Sequence, residues 1–363
     1  MREDERRTSD EAEAARAAIR RRVVTWIASL LGGAALLALA SRRIEVIPTS
    51  IDLREPALFA WALALQLPYA AVRALRLRYA LDPLVARASA GAMTRLPPAV
   101  LYGSGWLSFA VIMLLPLRLG ELSRPLLLTR AELPGVGLAE AISAVATERV
   151  VDGLMVVGLL FAGLALAAPT AGASTIAEVQ GFGRMMAALF AVGLVVLIVV
   201  AKAPERAIDR LRLHAKPAAI LRHVAAAIRP LGRPGQGIPF VAWSLVYWGL
   251  TVVQLWLVLR ACGLPLGLAE AAAIVATIGL SIQLPGGPAQ AGSFQVGAIA
   301  GLSLFLDLEG ASAGGQASTF SALMYVLSLG GTLLLALPGA WLLRRAAPRS
   351  SPPSVADPAP NAT

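Results

Sequence analysis

Long apolar stretches separated by groups of arginines constrain the fold of this chain more than any other feature. Six stretches approach or exceed the roughly 17–25 residues that a helix needs to cross a bilayer. They are residues 23–40, 57–72, 138–168, 185–201, 238–260 and 317–342. With 57% hydrophobic and only 15% charged residues, the chain is too apolar for a soluble domain of its length. Because these stretches do not alternate as barrel strands do, we expect an all-α fold, a polytopic integral membrane helical bundle.

Two further apolar regions, 97–130 and 268–306, are interrupted by proline, glycine and charge. Basic residues collect in cytoplasmic loops, and four segments hold 23 of the 32 Lys and Arg residues: 1–22, 73–95, 202–237 and 343–363. All four lie on one side only if each interrupted region enters and leaves on the same side. We therefore expect six full spans plus two opposed re-entrant helical hairpins, about eight predicted transmembrane segments in all. Two short full spans in place of a hairpin satisfy the same rule.

The charge pattern also predicts the domain organisation and the location. Residues 1–22 read as a cytoplasmic basic N-terminal segment, 23–345 as the transmembrane domain, and 346–363 as a disordered tail rich in Pro, Ser and Ala. The basic loop 202–237 has helical apolar spacing, which favours an amphipathic helix on anionic lipid over a plain solvated loop. Both termini are then cytoplasmic, in a multi-pass protein of the cell (inner) membrane. The short span 57–72 is expected to continue toward Leu81, its arginines snorkelling to the membrane surface.

Charged residues within the apolar segment 115–130 form the first candidate site. A charge at membrane depth costs about 2.5–3.5 kcal/mol on insertion scales, so such residues face a cavity or a partner. Arg118 and Glu121 are three residues apart and share a helix face, and Arg124 follows three residues later. Guanidinium groups bind phosphate in a bidentate manner. Because there are two arginines and one glutamate, one positive charge is not compensated within this group. We expect an anion-binding site; the alternative is an ion pair that joins two helices.

A second charged group lies inside the apolar segment 138–168. Glu148 and Asp152 are four residues apart, so they point toward one side of a helix, with Arg149 between them in sequence. We expect these carboxylates to balance Arg118 or Arg124 across the bundle. A purely structural charge network and a proton relay are the alternatives.

The third feature is the segment LPGGPAQAGSF, residues 284–294, with the following glutamine. Its prolines stop a helix and its uncharged polar groups can bind hydrogen-bonding substituents. The candidate residues of this second hairpin tip are Pro285, Pro288, Gln290, Gly292, Ser293 and Gln295. Paired interrupted segments in the two halves of a membrane protein point to a transport site, although a loop packed on a neighbour explains this segment as well.

Several other classes of protein are disfavoured by the sequence. The net charge of +10 would suggest nucleic acid as a partner of a soluble protein, but here the basic residues flank apolar spans. Cys262 is the only cysteine, and His214 and His223 lie in one basic loop, so we expect no disulfide, no metal site and no other cofactor. No Ser/His/Asp order, HExxH motif or Asp-rich motif appears, and we do not expect an enzyme.

The first two charged groups resemble a known family. The block LPLRLGELSRP, followed about twenty residues later by ATERVVDG, is similar to the lysylphosphatidylglycerol synthase transmembrane region, also called the flippase-like or UPF0104 family. Its Pro-x-Arg-x-Gly-Glu-x-x-Arg pattern ends here at Arg124, and its Glu-Arg-x-x-Asp pattern begins at Glu148. A later Leu-Pro-x-x-Pro-Gly-x-x-Gly-x-Phe pattern starts at Leu284, with Ala289 in place of the glycine that follows its second proline. The polar residue of the family's last helix corresponds to Tyr325.

This resemblance covers roughly residues 20–345 and implies a bacterial inner-membrane protein that moves a lipid or lipid-linked intermediate between leaflets. We therefore expect a flippase-like transporter for an anionic lipid, with Arg118 and Arg124 holding the headgroup phosphate and Glu121 orienting an arginine. Some relatives carry a soluble aminoacyl-transferase domain, an activity we do not assign to these residues. The alternative is a membrane-embedded lipid-modifying synthase, or an accessory subunit that partners a glycosyltransferase or a lipid-modifying enzyme.

Overall fold

The computed structural model describes residues 2–115, 120–202, 215–284, 286–308 and 310–346. In these residues all regular structure is helical, as the sequence predicts. The α-helices are α1 (Arg2–Ala40), α2 (Pro56–Ala64), α3 (Gln66–Leu75), α4 (Arg78–Ala88), α5 (Pro98–Leu114), α6 (Ser123–Thr129), α7 (Leu138–Leu166), α8 (Ala173–Lys202), α9 (Ala215–Ile228), α10 (Pro234–Ala261), α11 (Leu268–Ser281), α12 (Ser293–Leu302) and α13 (Ala311–Ala346). Short 3-10 helices cover Arg229–Gly232 and Pro288–Gln290.

Six stretches of helix in the described residues are long and apolar enough to cross a membrane, which confirms the predicted polytopic bundle. They are Val23–Ala40, Pro56–Leu75, Leu138–Leu166, Ala173–Lys202, Pro234–Ala261 and Gly314–Ala346. The second span joins α2 to α3 because Leu65 keeps a right-handed helical backbone. The fourth begins at Ala173, earlier than residue 185, where the sequence predicts this span to start.

Each interrupted region forms a helical hairpin with at least one arm too short to span a bilayer. In the first hairpin α5 has 17 residues and α6 has seven. The chain folds back closely after α5, since a Cβ added at Gly120 would lie 2.5 Å from Ile112 Cα. In the second hairpin α11 and α12 have 14 and 10 residues. Only α5 reaches the minimum spanning length of about 17 residues, so the arms favour re-entrant hairpins.

Glycines let the hairpin arms approach the long helices so closely that the two backbones are in contact. A Cβ added at Gly103 of α5 would lie 2.9 Å from the carbonyl oxygen of Gly339 in α13. A Cβ added at Gly163 of α7 would lie 2.7 Å from the backbone nitrogen of Ala273 in α11. Such contacts are the main means of helix association in a bilayer, where apolar burial gives little advantage. They fix both hairpins against full-length spans.

The segment 73–95 differs from the cytoplasmic loop that the sequence predicts. Residues 78–88 form α4, and Arg76, just beyond the end of α3, is fully buried. Arg73 does not snorkel to the membrane surface, because its guanidinium carbon lies 3.7 Å from the centre of the Phe109 ring inside the bundle. Both arginines turn inward because carboxylate, hydroxyl and aromatic partners are there. The expectation that the arginines here snorkel to the membrane surface is wrong for Arg73 and Arg76.

The described part of the basic loop 202–237 packs on protein. Helix α9 contains Pro217 in its first turn, and its Ala225, Ala227 and Ile228 are buried. His223 Nδ1 contacts a carboxylate oxygen of Glu140 in α7. Residues 203–214, which include His214, and the tail residues 347–363 lie outside the described residues, so the tail prediction stays a prediction.

Candidate functional site

Two buried ion pairs lie where α3, α6 and α7 meet. Arg124 Nη1 is 2.7 Å from Glu148 Oε2. Arg76 binds Asp152 in a bidentate manner, with Nη1 2.6 Å from Oδ1 and Nη2 3.1 Å from Oδ2. The pairs adjoin, since Arg76 Nη2 is 3.9 Å from Glu148 Oε1. The structure therefore joins Arg124 of the first predicted group to Glu148 of the second, as expected.

Neutral groups add hydrogen bonds to the ion-pair network and leave three of its buried polar atoms without a hydrogen-bond partner among the described residues: Arg76 Nε, Arg124 Nε and Glu148 Oε1. Arg76 Nη1 also donates to Ser244 Oγ at 3.0 Å, and Trp248 Nε1 donates to Asp152 Oδ1 at 3.1 Å, so α10 joins the cluster. Arg124 Nη2 donates to the carbonyl oxygen of Ala74 at 3.0 Å. These hydrogen bonds hold the charged groups in place, because buried ion pairs are stable only when their remaining polar atoms are largely satisfied.

Helical spacing explains how one site gathers side chains from distant parts of the sequence. Glu148 and Asp152 are one turn apart on α7 and so share a face. On α10, the spacing of Ser244, Tyr247 and Trp248 places these three side chains on one face toward the cluster. Each helix thus keeps a polar stripe on an otherwise apolar surface.

A cavity of about 360 Å³, cavity 1, opens beside the ion pairs. Its polar lining comes from Glu121, Arg149, Asp152 and Gln283, and apolar residues of α6, α7, α8 and α11 form much of the rest. Arg149 Nη2 lies 3.7 Å from Asp152 Oδ2, too far for a hydrogen bond, and its side chain keeps 27% exposure. The volume falls in the range of small-molecule pockets. Arg149 is therefore the described arginine that cavity 1 presents to a ligand.

A second cavity of about 150 Å³, cavity 2, lies on the other side of Trp248. Trp248, Gly279 and Ile282 line both cavities and form the wall between them. Because Asp152 accepts the hydrogen bond of the Trp248 indole, the ion-pair network also fixes this wall. Arg73 lines cavity 2.

The formal charges of the site do not cancel. Arg73, Arg76, Arg124 and Arg149 face three carboxylates, Glu121, Glu148 and Asp152, which leaves one positive charge in excess among the described residues. Arg118 lies outside the described residues, so its expected role stays a prediction. An excess cation in apolar surroundings favours an anionic ligand.

The sequence interpretation missed five residues of the site: Arg73, Arg76, Ser244, Tyr247 and Trp248. A signal for the first two was present. Counted from Gln66, polar residues recur in the apolar span at intervals of three and four, through Tyr69 and Arg73 to Arg76. This is the period of one helix face, which indicates an inward polar stripe.

The predicted residues of the second hairpin tip divide by role. Gln290 lines cavity 2, whereas Ser293 Oγ donates to the carbonyl of Gln290 at 3.0 Å and Gln295 Oε1 accepts from the backbone nitrogen of Gly292 at 2.8 Å. The Gln295 contact caps α12, and the Ser293 contact joins the first residue of α12 to the 3-10 helix before it. Pro288 starts a short 3-10 helix, and Pro285 lies outside the described residues.

Neighbouring helices hold this tip from two sides. Ser29 Oγ of α1 donates to the carbonyl of Gly286 at 2.9 Å, and Tyr325 Oη of α13 donates to the carbonyl of Ala289 at 2.9 Å. The alternative of a loop packed on its neighbours thus describes most of the tip, with Gln290 as its residue in a cavity.

The Arg124–Glu148 pair gives a stability prediction. We expect Arg124→Met alone to destabilise the protein by about 3–5 kcal/mol, because it leaves Glu148 buried without its charge partner. Adding Glu148→Met should restore much of that loss, since apolar replacement of both partners is often close to neutral. Chemical unfolding of the purified protein in mild detergent measures both. Additive losses in the double variant would contradict the arrangement.

Comparison with known families places the chain. The sequence profile described as "Lysylphosphatidylglycerol synthase TM region" matches residues 26–344, nearly the whole chain. Comparison with curated proteins gives no significant match, and neither does comparison with solved structures. The matched region contains four spans completely and nearly all of the first and last, together with both hairpins and all described residues of the charge cluster. The chain belongs to the lysylphosphatidylglycerol synthase transmembrane-region family.

Proposed function

We propose that the protein is a flippase-like transporter that binds an anionic lipid, or a lipid-linked intermediate, and moves its headgroup between leaflets. The family is a membrane domain associated with lipid handling. The observation that carries the proposal is Arg149, which faces cavity 1 beside an ion-pair network with excess positive charge. A guanidinium in such a place suits a phosphate group.

The ion pairs suggest different roles for the arginines. Arg124 is 1% exposed, is bound to Glu148 and lines neither cavity, so we give it a positioning role in place of the direct phosphate contact expected from sequence. Arg149 takes the phosphate contact, and the contact expected of Arg118 stays a prediction. Arg76 holds Asp152 in place beside Arg149.

The weak contact between Arg149 and Asp152 suits transport better than tight binding. At 3.7 Å the carboxylate attracts the guanidinium without forming a hydrogen bond. An arriving phosphate has no Arg149–Asp152 hydrogen bond to break. When the phosphate departs, the Asp152 carboxylate is already in position to attract the Arg149 guanidinium again. Asp152 therefore keeps cavity 1 from trapping the headgroup.

We also propose the orientation that the charge pattern predicts, with both termini in the cytoplasm of a bacterial cell. Ile47 is 87% exposed in the loop before α2, and Arg87 is exposed at the end of α4. The native Cys262 is buried, and burial raises the pKa of its thiol to about 12, so it stays protonated and unreactive near neutral pH.

Cysteine labelling tests this orientation. An impermeant maleimide should label Ile47→Cys in spheroplasts with the outer membrane removed, and should label Arg87→Cys only after lysis. The parent protein, with Cys262 alone, is the control and should stay unlabelled. The reverse pattern of the two positions would refute the orientation.

Lipid movement in liposomes tests the function. We expect the purified protein to move a fluorescent anionic phospholipid faster than a phosphatidylcholine with the same chains. Arg149→Gln should lower the rate at which the anionic lipid moves between leaflets about tenfold or more, because a hydrogen bond to a charged group contributes about 1.5–3 kcal/mol. Dithionite quenching of the outer leaflet measures the rate.

The matched control is Arg87→Gln, which removes an exposed arginine outside both cavities. It should move lipid as the parent does. Equal rates for Arg149→Gln and Arg87→Gln would refute the role of Arg149. A chemically altered lipid, detected by mass spectrometry without lipid movement, would favour the lipid-modifying alternative.

A further inference from the structure

Cavity 2 contains a guanidinium group without a carboxylate within ion-pair distance in the described part of the chain. Besides the Phe109 ring, the close polar neighbour of Arg73 is the Tyr69 hydroxyl, 3.5 Å from Nη1. Arg73 Nε is shielded from solvent and has no hydrogen-bond partner among the residues that the structure describes. A guanidinium has five N–H donors, so most of the donor capacity of Arg73 is left for a ligand.

The rest of the polar lining is uncharged. It consists of Gln66, Tyr69, Tyr247, Thr251, Gln254, Gln290, Ser328 and Thr332. The side chains of Ser328 and Gln290 make no hydrogen bond among the described residues, and both border the cavity. Hydroxyl and amide groups are suited to the hydroxyls of a ligand. Because no described Asp or Glu lines cavity 2, its charge favours an anion over a cation.

The size of cavity 2 limits its occupant. Its volume of about 150 Å³ equals that of an engineered protein cavity that holds benzene. One phosphate with a small polyol fits this scale, whereas a nucleotide does not, and an acyl chain attached to the polyol would have to lie outside the cavity. The Trp248 wall keeps the occupant apart from a headgroup in cavity 1.

We propose that cavity 2 is a second binding site, for a small oxyanion that carries hydroxyl groups, such as a phosphate ester of a polyol. Arg73 is its anchor, held by the Phe109 ring through a cation–π contact, and Ser328 and Gln290 bind the hydroxyls. Bound oxyanion supplies the negative charge that Arg73 lacks. A lipid headgroup and a soluble phosphate ester share this chemistry, and the site does not depend on lipid movement.

Calorimetric titration of the full-length protein in phosphatidylcholine nanodiscs tests the site. The probes are glycerol 3-phosphate and a short-chain lysophosphatidic acid, which carry the same polar group without and with an acyl chain. At least one should bind the parent protein, and which one binds identifies a soluble or a lipid source. Arg73→Gln should weaken that binding about tenfold or more, whereas the control Arg87→Gln should not.

A second pair of variants separates ligand contact from a structural role. Ser328→Ala should lower the affinity for the hydroxyl-bearing probe about threefold or more. It should leave the affinity for inorganic phosphate unchanged. Arg73→Lys keeps the positive charge but loses the paired N–H donors of the guanidinium, so this variant should bind the probe with intermediate affinity. Arg73→Lys also serves as the test variant if Arg73→Gln does not fold.

Two results would overturn the proposal: neither probe binds the parent, or the Arg73 and Arg87 variants bind equally well. The outcome is independent of the transport proposal. Binding that depends on Arg73 can persist in a protein that moves no lipid, and lipid movement that depends on Arg149 can persist when cavity 2 binds nothing.

Discussion

The joined ion pairs Arg76–Asp152 and Arg124–Glu148 are the interaction on which the rest of the site depends. Each arginine and each carboxylate would be costly alone in apolar surroundings, and together they draw α3, α6 and α7 into one cluster. The requirement to pair four buried charged groups constrains the register of these helices. The cluster thus positions the three helices and is called the frame below. Its own arginines, Arg76 and Arg124, are largely bound to their carboxylate partners.

The two cavities follow from this frame. Asp152 accepts the Trp248 indole and so places the wall between them. Arg149 and Arg73 lie on opposite sides of that wall, one in a weak contact with Asp152 and the other without a neighbouring carboxylate among the described residues. The arginines therefore fall into two groups: those that stabilise the bundle through ion pairs, and those that remain able to bind an anion.

Much of this architecture could be predicted from the sequence. Apolar length predicts the spans, and Arg124, Glu148 and Asp152 are conspicuous because they interrupt apolar helices. Arg73 and Arg76 were missed because arginines at the end of an apolar run also mark a cytoplasmic boundary; only their helical spacing with Gln66 and Tyr69 distinguishes the two cases. The contacts of Ser293 and Gln295 are local, whereas the position of Gln290 in cavity 2 depends on how the second hairpin packs against α1 and α13, which local patterns do not encode.

The most direct measurement is an experimental structure of the protein in nanodiscs that contain an anionic phospholipid. The account predicts headgroup density in cavity 1, with a phosphate oxygen within hydrogen-bond distance of the Arg149 guanidinium and with Arg124 still bound to Glu148. An empty cavity 1, with lipid density confined to the outer surface of the bundle at saturating lipid, would contradict it.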